Sequence, residues 1–405
     1  MRILLVTDSY PPEIRSASHL MKELAEELRD RGYEVSVVTC YPAYNLSDID
    51  LAKNYPEFCL EDGIGVIRVK TLPHHKVNFI VRGIGQLTLP HFFWRKVKRY
   101  LRDNIDAVIV YSPPLPLGYL GWWCKKNRDA RFILNLQDIF PQNAIDLGAL
   151  RNQLLISYFE QMEKKIYNHS DAITVHSENN KNFLINRKHI SPAKVHVLYN
   201  WVDIEDYKIG ENDFSYRKKL GLEGKFIFFF GGVIGPSQGL DLVLDAMREI
   251  RHKDEIVLLI VGDGSEKPKL LAKMQQDDLK NVIFHPFIPK KEYAKLLKEI
   301  DVGLVSLSNK NRTPVVPGKI LGYMASGVPV LGFLNEESDG HSIIRDAGCG
   351  YSIVSNDSSR LAEFMVRMYE ERSRLKDIGH NGYRYANDHF SKEVCVDKLE
   401  GIIKG

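Results

Sequence analysis

Short apolar runs, each followed by a polar or glycine-bearing turn and then by a helical stretch, recur along the chain. Ile3–Thr7 opens the series as a run apolar at every position, the pattern of a strand buried on both faces of a parallel sheet. Asp8-Ser-Tyr-Pro-Pro-Glu13 reads as a loop. Leu20, Leu24, Ala25 and Leu28 then repeat at helical spacing up to Arg31-Gly32, and Glu34–Thr39 is the next strand. Further strands are predicted at Val66–Thr71, Ala107–Tyr111, Arg131–Leu136, Ala172–His176 and Lys194–Leu198. The stretch from Asn200-Trp-Val-Asp203 to Gly224 is polar and reads as a linker. A second series follows it, with strands at Lys225–Phe230, Ile256–Val261, Val282–Phe284, Val302–Leu307 and Val330–Phe333, and the chain ends in helices at Ser358–Arg372, Arg374–Asn387 and Ser391–Ile403. The alternation predicts two α/β domains, each a doubly wound parallel sheet, with a hinge near residue 200 and ligands at the carboxyl ends of the strands.

One stretch, Arg312–Phe333, concentrates features suited to an anion. Pro314, Pro317 and Gly318 break regular structure, and Lys319–Ser326 reads as a short helix closed by Gly327, with Pro329 beyond it. A helix start presents backbone N–H groups and the positive end of its dipole. Lys319 in the first turn opposes that dipole unless an anion lies nearby. The alternative is an ordinary strand–helix–strand crossover with a solvated lysine. Two more glycine-bearing loops follow strands of the second domain: Gly231-Gly-Val-Ile-Gly-Pro-Ser-Gln-Gly239 and Gly262-Asp-Gly264. Three such loops at successive strand ends favour a nucleotide diphosphate over any single tight turn, in a cleft expected between the two domains.

Size and charge narrow the class. The 405 residues suffice for two to three domains with cores of their own. A net charge of +3 gives no reason to expect nucleic-acid binding. Five scattered cysteines, none in a CxxC pair, point to a reducing compartment without a disulfide framework or zinc cluster. Met1 leads straight into a strand and no long apolar window exists, so the expectation is a cytoplasmic protein with no leader and no membrane-spanning helix.

Other candidate residues are weaker. Asp48 and Asp50 have metal-ligand character, but read equally as a polar loop capping a helix. His74-His75 is a possible metal pair, although adjacent histidines point apart on any regular element. His189, His196 and His285 read as structural or surface residues. No Ser-His-Asp order and no metal-ligand spacing stands out, so no metal is expected. The segment from Gly63 to Arg102 holds nine Lys or Arg and no Asp or Glu, which leaves the rest of the chain net acidic. Phe92, Phe93 and Trp94 interleave with Arg95, Lys96, Lys98 and Arg99. Two readings stand: a basic amphipathic helix on an anionic membrane surface, or a core-packed helix with a solvated basic face.

Several motifs in this order resemble the retaining GT-B glycosyltransferases of family 4, in the bacterial branch that builds O-antigens, capsules and related surface polysaccharides. They are Tyr10-Pro-Pro-Glu-Ile14, Ser112-Pro-Pro-Leu-Pro-Leu-Gly118, Leu136-Gln-Asp-Ile-Phe-Pro141, Asn200-Trp-Val-Asp203, Gln238-Gly-Leu-Asp241, Val261-Gly-Asp-Gly264 and Tyr323-Met-Ala-Ser-Gly-Val-Pro-Val330. The resemblance implies an acceptor-binding domain over 1–200, a sugar-nucleotide domain over 201–385, and a last segment, 386–405, returning to the first domain. It also implies transfer of a hexosyl or N-acetylhexosaminyl group from a nucleotide sugar, UDP-linked by expectation, to a polyprenyl-diphosphate-linked acceptor. No cofactor is implied, and the protein is expected at the inner face of the plasma membrane.

The donor side implied is Gly231, Gly232, Gln238, Gly262, Gly264, Phe287, Pro317, Gly318, Lys319 and Ile320. The acceptor side is Glu13, Arg15, Ser16, Ser112 and Gln137. Lys319 and Asp138 are the catalytic candidates, Asp138 as base or acceptor-orienting carboxylate, with helix capping before Pro141 as its other reading. The chain departs from the family pattern in telling places. The Arg and Lys that clamp the diphosphate fall at Val233 and Gln238. The two glutamates of the E-x7-E pair, the second of which binds ribose, fall at Pro314 and Gly322, and the glycines of the first loop are replaced by Arg15-Ser16. These gaps keep open a catalytically inactive partner subunit of the same fold, and, less well supported by motif, a sugar-nucleotide epimerase.

Overall fold

A computed structural model gives the structure of the chain and describes residues 1–43, 46, 54–75, 77–207, 215–312, 314 and 316–405. The chain divides into two compact units: Met1–Tyr199 with Val396–Gly405, and Asn200–Cys395.

Unit 1 is built on an eight-stranded sheet: β1 (Arg2–Val6), β2 (Glu34–Cys40), β3 (Phe58–Glu61), β4 (Ile64–Val69), β5 (Ala107–Ser112), β6 (Arg131–Leu136), β7 (Ala172–Val175) and β8 (Val195–Val197). Their order is β3-β4-β2-β1-β5-β6-β7-β8, parallel except for the β3–β4 hairpin. β3 lies outside the predicted strands. Its signal is Asp62-Gly63, both at positive φ (49° and 81°), which a two-residue hairpin turn requires. The helix Ser16–Asp30 buries Met21, Leu24, Ala25 and Leu28 against β2 and β4. The helices Phe79–Tyr100, Gly118–Arg128 and Gln153–His169 close the other face, contributing Leu89, Phe93 and Val97, then Leu120 and Cys124, then Met162, Ile166 and Tyr167.

Unit 2 has six parallel strands: β9 (Phe226–Gly231), β10 (Ile256–Val261), β11 (Val282–His285), β12 (Val302–Ser306), β13 (Val330–Leu334) and β14 (Gly350–Val354), in the order β11-β10-β9-β12-β13-β14. β9 shows why its residues run apolar without alternation. Phe226, Phe228 and Phe230 join the core with the helices Leu240–Glu249 and Ser358–Glu370. Phe229 faces the other way, against Tyr293 and Tyr323. Each such ring, fully buried, contributes about 1.5–3 kcal/mol. β14 was missed because it is only partly buried and mixes Tyr and Ser with Ile and Val.

Two boundary expectations change. Asn200–Gly224 is not a bare linker, since Trp201, Val202, Ile204 and Tyr216 are buried in unit 2 and the Val202 N–H donates to the Phe390 carbonyl at 2.9 Å. The passage into unit 1 comes later than residue 386, within the last helix, Lys392–Lys404. From Val396 onward that helix belongs to unit 1, where Arg31 bonds Asp397 (2.6 Å) and Glu400 (2.9 Å) and the Tyr33 hydroxyl donates to Glu400.

The glycines after β9 and β10 are fixed by backbone meeting backbone. A Cβ on Gly262 would lie 1.9 Å from the Gly232 carbonyl oxygen, and one on Gly264 2.2 Å from that of Ile234. Gly262 also sits at φ 150°. Gly262→Ala therefore combines strain of about 1–3 kcal/mol with a forced retreat of the neighbouring loop. It should lower the denaturant midpoint of the protein by the equivalent of at least about 2 kcal/mol. Gly401→Ala, in open space on the last helix, should raise it by about 0.5–1 kcal/mol.

Candidate active site

In each unit the strand order reverses beside the first strand, between β1 and β5 in unit 1 and between β9 and β12 in unit 2. Such switch points leave a crevice at the carboxyl ends of the strands, where ligands of open α/β sheets bind. In unit 2 the β9 loop, the β10 loop and the helix Gly318–Ala325 converge there.

Lys319 is the centre of this group. Its ammonium donates to Gln238 Oε1 at 3.0 Å and lies 4.8 Å from the centre of the Phe230 ring. Its Cε takes the space that a Cβ on Gly232 would occupy, 2.9 Å away. Among the described residues it forms no ion pair. The side chain keeps partial access to solvent, yet the protein packed around it disfavours the charged form and lowers its pKa to about 8. An ammonium answered only by an amide oxygen and an aromatic face is a site prepared for an anion. Neither Phe230 nor the tyrosines beneath Gly231 were predicted. Tyr293 fills the space a Gly231 side chain would need, and Tyr323 donates to the Phe229 carbonyl at 3.2 Å.

The other donor candidates divide by role. Pro317 is the residue before the helix, and Gly318 leaves open space there. Phe287 is 62% exposed beyond β11. The Gly232 N–H is already bonded to the Val261 carbonyl (2.9 Å) and is not a free donor for a diphosphate. Gly262 and Gly264 spend their missing side chains on the adjacent loop. Ile320 is fully buried, so its side chain faces the core. Gly322, where the family's second glutamate falls, faces the Tyr207 hydroxyl, 3.1 Å from the position of its Cβ.

In unit 1 the candidates lie at the carboxyl ends of the neighbouring strands β1, β5 and β6. Glu13 and Ser112 are buried in structural bonds: Glu13 accepts from the Ala43 N–H (3.0 Å), and the Ser112 carbonyl accepts from the Gln137 N–H (2.8 Å). The Glu13 side chain thus braces the loop at Ala43, whereas the bond at Ser112 is made by its backbone. Gln137 donates to Asn135 (2.7 Å). Ser16 is exposed at the start of its helix. Asp138 is open to solvent, yet loss of solvation in the surrounding protein raises its carboxyl. It caps no helix: the helix Gln142–Asp146 begins after Pro141 without a side-chain cap.

Arg15 has a different setting from the one expected. It lies 3.3 Å from Asp8 Oδ2 and 3.3 Å from His75 Nε2, and His75 is 3.2 Å from the same carboxylate oxygen. His74 and His75 do not point apart. They occupy a loop after β4, not a regular element, and their rings are 4.3 Å apart. Burial acts to raise the Asp8 carboxyl, but the His75 hydrogen bond and Arg15 outweigh it and hold it low. Asp8, directly after β1, was passed over as loop polarity. Asp48 and Asp50 lie outside the described residues.

The basic helix Phe79–Tyr100 is sorted by its periodicity. Phe93 is fully buried, Trp94 packs on the core, and Lys96 is held by Glu57, so these three are not free surface. Val81, Ile84 and Phe92 are exposed, together with Arg95, Lys98 and Arg99.

Comparison with known proteins agrees with this architecture. The family described as "Glycosyltransferase Family 4" matches residues 17–206, and "Glycosyl transferases group 1" matches residues 212–385. The chain belongs to the GT-B glycosyltransferases of family 4. It is 26% identical over 338 residues to the putative colanic acid biosynthesis glycosyl transferase WcaI of Escherichia coli (strain K12), covering 81% of this chain and 82% of that one. Over 138 residues, 34% of each chain, it is 29% identical to a Campylobacter jejuni protein named N-acetylgalactosamine-N,N'-diacetylbacillosaminyl-diphospho-undecaprenol 4-alpha-N-acetylgalactosaminyltransferase. Among solved structures, Anabaena HepE in complex with UDP shares the fold, with a TM-score of 0.73 at 17% identity over the whole of both chains.

The depressed pKa of Lys319 makes a signed prediction. The ammonium is charged below pH 8, and a bound diphosphate favours the charged form. Affinity for UDP or GDP, whichever binds, should be flat below pH 8 and fall by up to tenfold per pH unit above it, as read by calorimetry. Lys319→Arg should remove the pH dependence, since a guanidinium keeps its charge. A parent whose affinity is level from pH 7 to 9.5 does not use Lys319 in this way.

Proposed function

We propose that this glycosyltransferase moves a sugar, with retention, from a UDP-sugar to a polyprenyl-diphosphate-linked saccharide during synthesis of a surface polysaccharide. The observation that carries the reading is Lys319, a cation without an acidic partner among the described residues, at a helix start beside the β9 loop. The UDP bound to HepE supports the choice of donor. The diphospho-undecaprenol in the name of the Campylobacter relative, and the colanic acid in that of WcaI, support the acceptor class.

Transfer of this kind proceeds through an oxocarbenium-like state while the nucleotide diphosphate departs. Its main demand is stabilisation of the charge that develops on the leaving group. Lys319 and the N–H groups of Gly318 and Lys319 at the start of its helix supply that stabilisation in unit 2, and no divalent ion is needed there. Asp138 in unit 1, accessible and with a raised pKa, orients or deprotonates the acceptor hydroxyl. Incubation with UDP- and GDP-sugars and a polyprenyl-diphosphate saccharide tests this directly. A new glycolipid should form at the same rate with or without added magnesium or manganese, and Lys319→Ala should lower turnover by about 10²–10³-fold, the loss typical of one oxyanion donor. An altered sugar nucleotide without glycolipid would mark an epimerase, and no turnover at all a partner subunit.

We also propose that the chain meets its acceptor at an anionic membrane surface. Among the described residues no helix is long and apolar enough to cross a membrane. The exposed Val81, Ile84 and Phe92, with Arg95, Lys98 and Arg99 toward the helix end, suit interfacial contact, each cation adding about 1 kcal/mol near the surface. Replacing Arg95, Lys98 and Arg99 with Gln should lower affinity for phosphatidylserine- or phosphatidylglycerol-containing vesicles, yet leave transfer to a short soluble acceptor nearly unchanged. Rising salt should weaken the parent's binding as the Debye length shrinks from about 10 Å at 0.1 M to about 3 Å at 1 M. Parent protein that ignores such vesicles at low salt has only a solvated basic face.

A further inference from the structure

The loop after β4 brings two imidazoles against a buried carboxylate at the carboxyl end of β1. One ligand atom each from Asp8, His74 and His75 can be chosen so that all lie within 4.8 Å of one another. Asp8 is 3% exposed, and among the described residues its Oδ1 is buried without a hydrogen-bond partner. Its Oδ2 is 3.2 Å from His75 Nε2. Two ligand atoms bound to one tetrahedral ion at about 2.0–2.1 Å stand about 3.3 Å apart, so this pair already has the required spacing. The second imidazole is oriented from behind: His74 Nδ1 is 2.9 Å from the Leu72 carbonyl. Donation to that carbonyl leaves Nε2 as the lone-pair nitrogen, the arrangement by which metal-bound histidines are commonly held. That Nε2 looks toward a thiol, with Cys40 Sγ 3.7 Å away.

We propose that Asp8, His74 and His75 bind one divalent first-row transition-metal ion, with Cys40 or water able to complete the coordination. Two imidazoles, a carboxylate and a nearby thiol suit zinc and disfavour magnesium or calcium, which take oxygen ligands. In the metal-free chain the position of the cation is served by Arg15, whose guanidinium lies 3.3 Å from both Asp8 Oδ2 and His75 Nε2. That side chain is 27% exposed, so it can withdraw toward solvent. Arg15 and the ion are then competitors for one carboxylate. The bound ion ties the loop Thr71–His75, which leads into the helix Phe79–Tyr100, to the end of β1. It requires no nucleotide and is independent of the donor reading in unit 2.

The competition gives substitutions of opposite sign. Metal-free full-length protein, with any histidine tag removed, is titrated with Zn²⁺ by calorimetry, and with Co²⁺ by its visible absorption. One ion per chain is expected. Affinity should fall at least tenfold in His75→Asn and in Asp8→Asn, and rise in Arg15→Gln. Thermal melts of the metal-free variants confirm that each is folded, and His75 and Arg15, both partly exposed, keep the test open if Asp8→Asn is not. The proposal is overturned if the parent takes up no ion, if affinity is the same in His75→Asn, or if Arg15→Gln weakens binding. None of these readouts involves sugar transfer, so failure here leaves the transferase reading untouched, and the reverse holds too.

Discussion

The contact on which the surroundings of Lys319 depend is one main chain resting on another. Gly262 and Gly264 bring the β10 loop directly onto the carbonyls of Gly232 and Ile234. The β9 loop then has nowhere else to go, and its Gly232 leaves the gap that the Lys319 stem crosses. Hydrogen bonds reinforce the stack: Gly232 N–H to Val261, Ile234 N–H to Asp263 (2.8 Å) and Ser308 N–H to Ser237 (2.8 Å). Fixed backbone is what lets a single side chain be held in place, because long lysine stems are otherwise free to rotate. A loop braced by its neighbours costs little reorganisation when charge develops beside it.

That dependence explains what was legible in the sequence. The strands announced themselves by apolar runs such as Ile3–Thr7 and Ile256–Val261, because burial on both faces leaves no room for polar residues. Lys319 stood out because a cation in a helix's first turn violates a simple electrostatic rule. The glycine loops read as places of close approach, and here the approaching atoms include those of the next loop. A missing Cβ reads the same whether the approaching atom belongs to a ligand or to the next loop, and only coordinates separate the two. Asp8 with His74-His75 was illegible for a related reason, since residues so far apart in sequence meet only through the sheet order. Conversely, periodicity within the single helix Phe79–Tyr100 is enough to place Phe93 in the core.

The departures from the family pattern also take on physical sense. Where relatives in this family hold two cations on the β9 loop, this chain has Val233, 70% exposed, and Gln238, whose amide oxygen holds the one remaining ammonium. One cation steered by a neutral amide gives less charge than a pair, but with no carboxylate of its own among the described residues it is not already neutralised. Gly322 leaves room for a hydroxyl from another part of the unit, Tyr207, at the place a carboxylate side chain fills elsewhere in the family.

The last helix bears on the order in which the protein is made. Residues 396–405 belong to unit 1, but 200–395 must be translated before them. At about 5–20 residues per second, that interval lasts about 10–40 s. Through it the sheet of unit 1 is already synthesised while Arg31 and Tyr33 wait for Asp397 and Glu400. The first unit to emerge from the ribosome is thus the last to be finished, and unit 2 has time to fold as an uninterrupted stretch of chain before the terminal segment closes its neighbour.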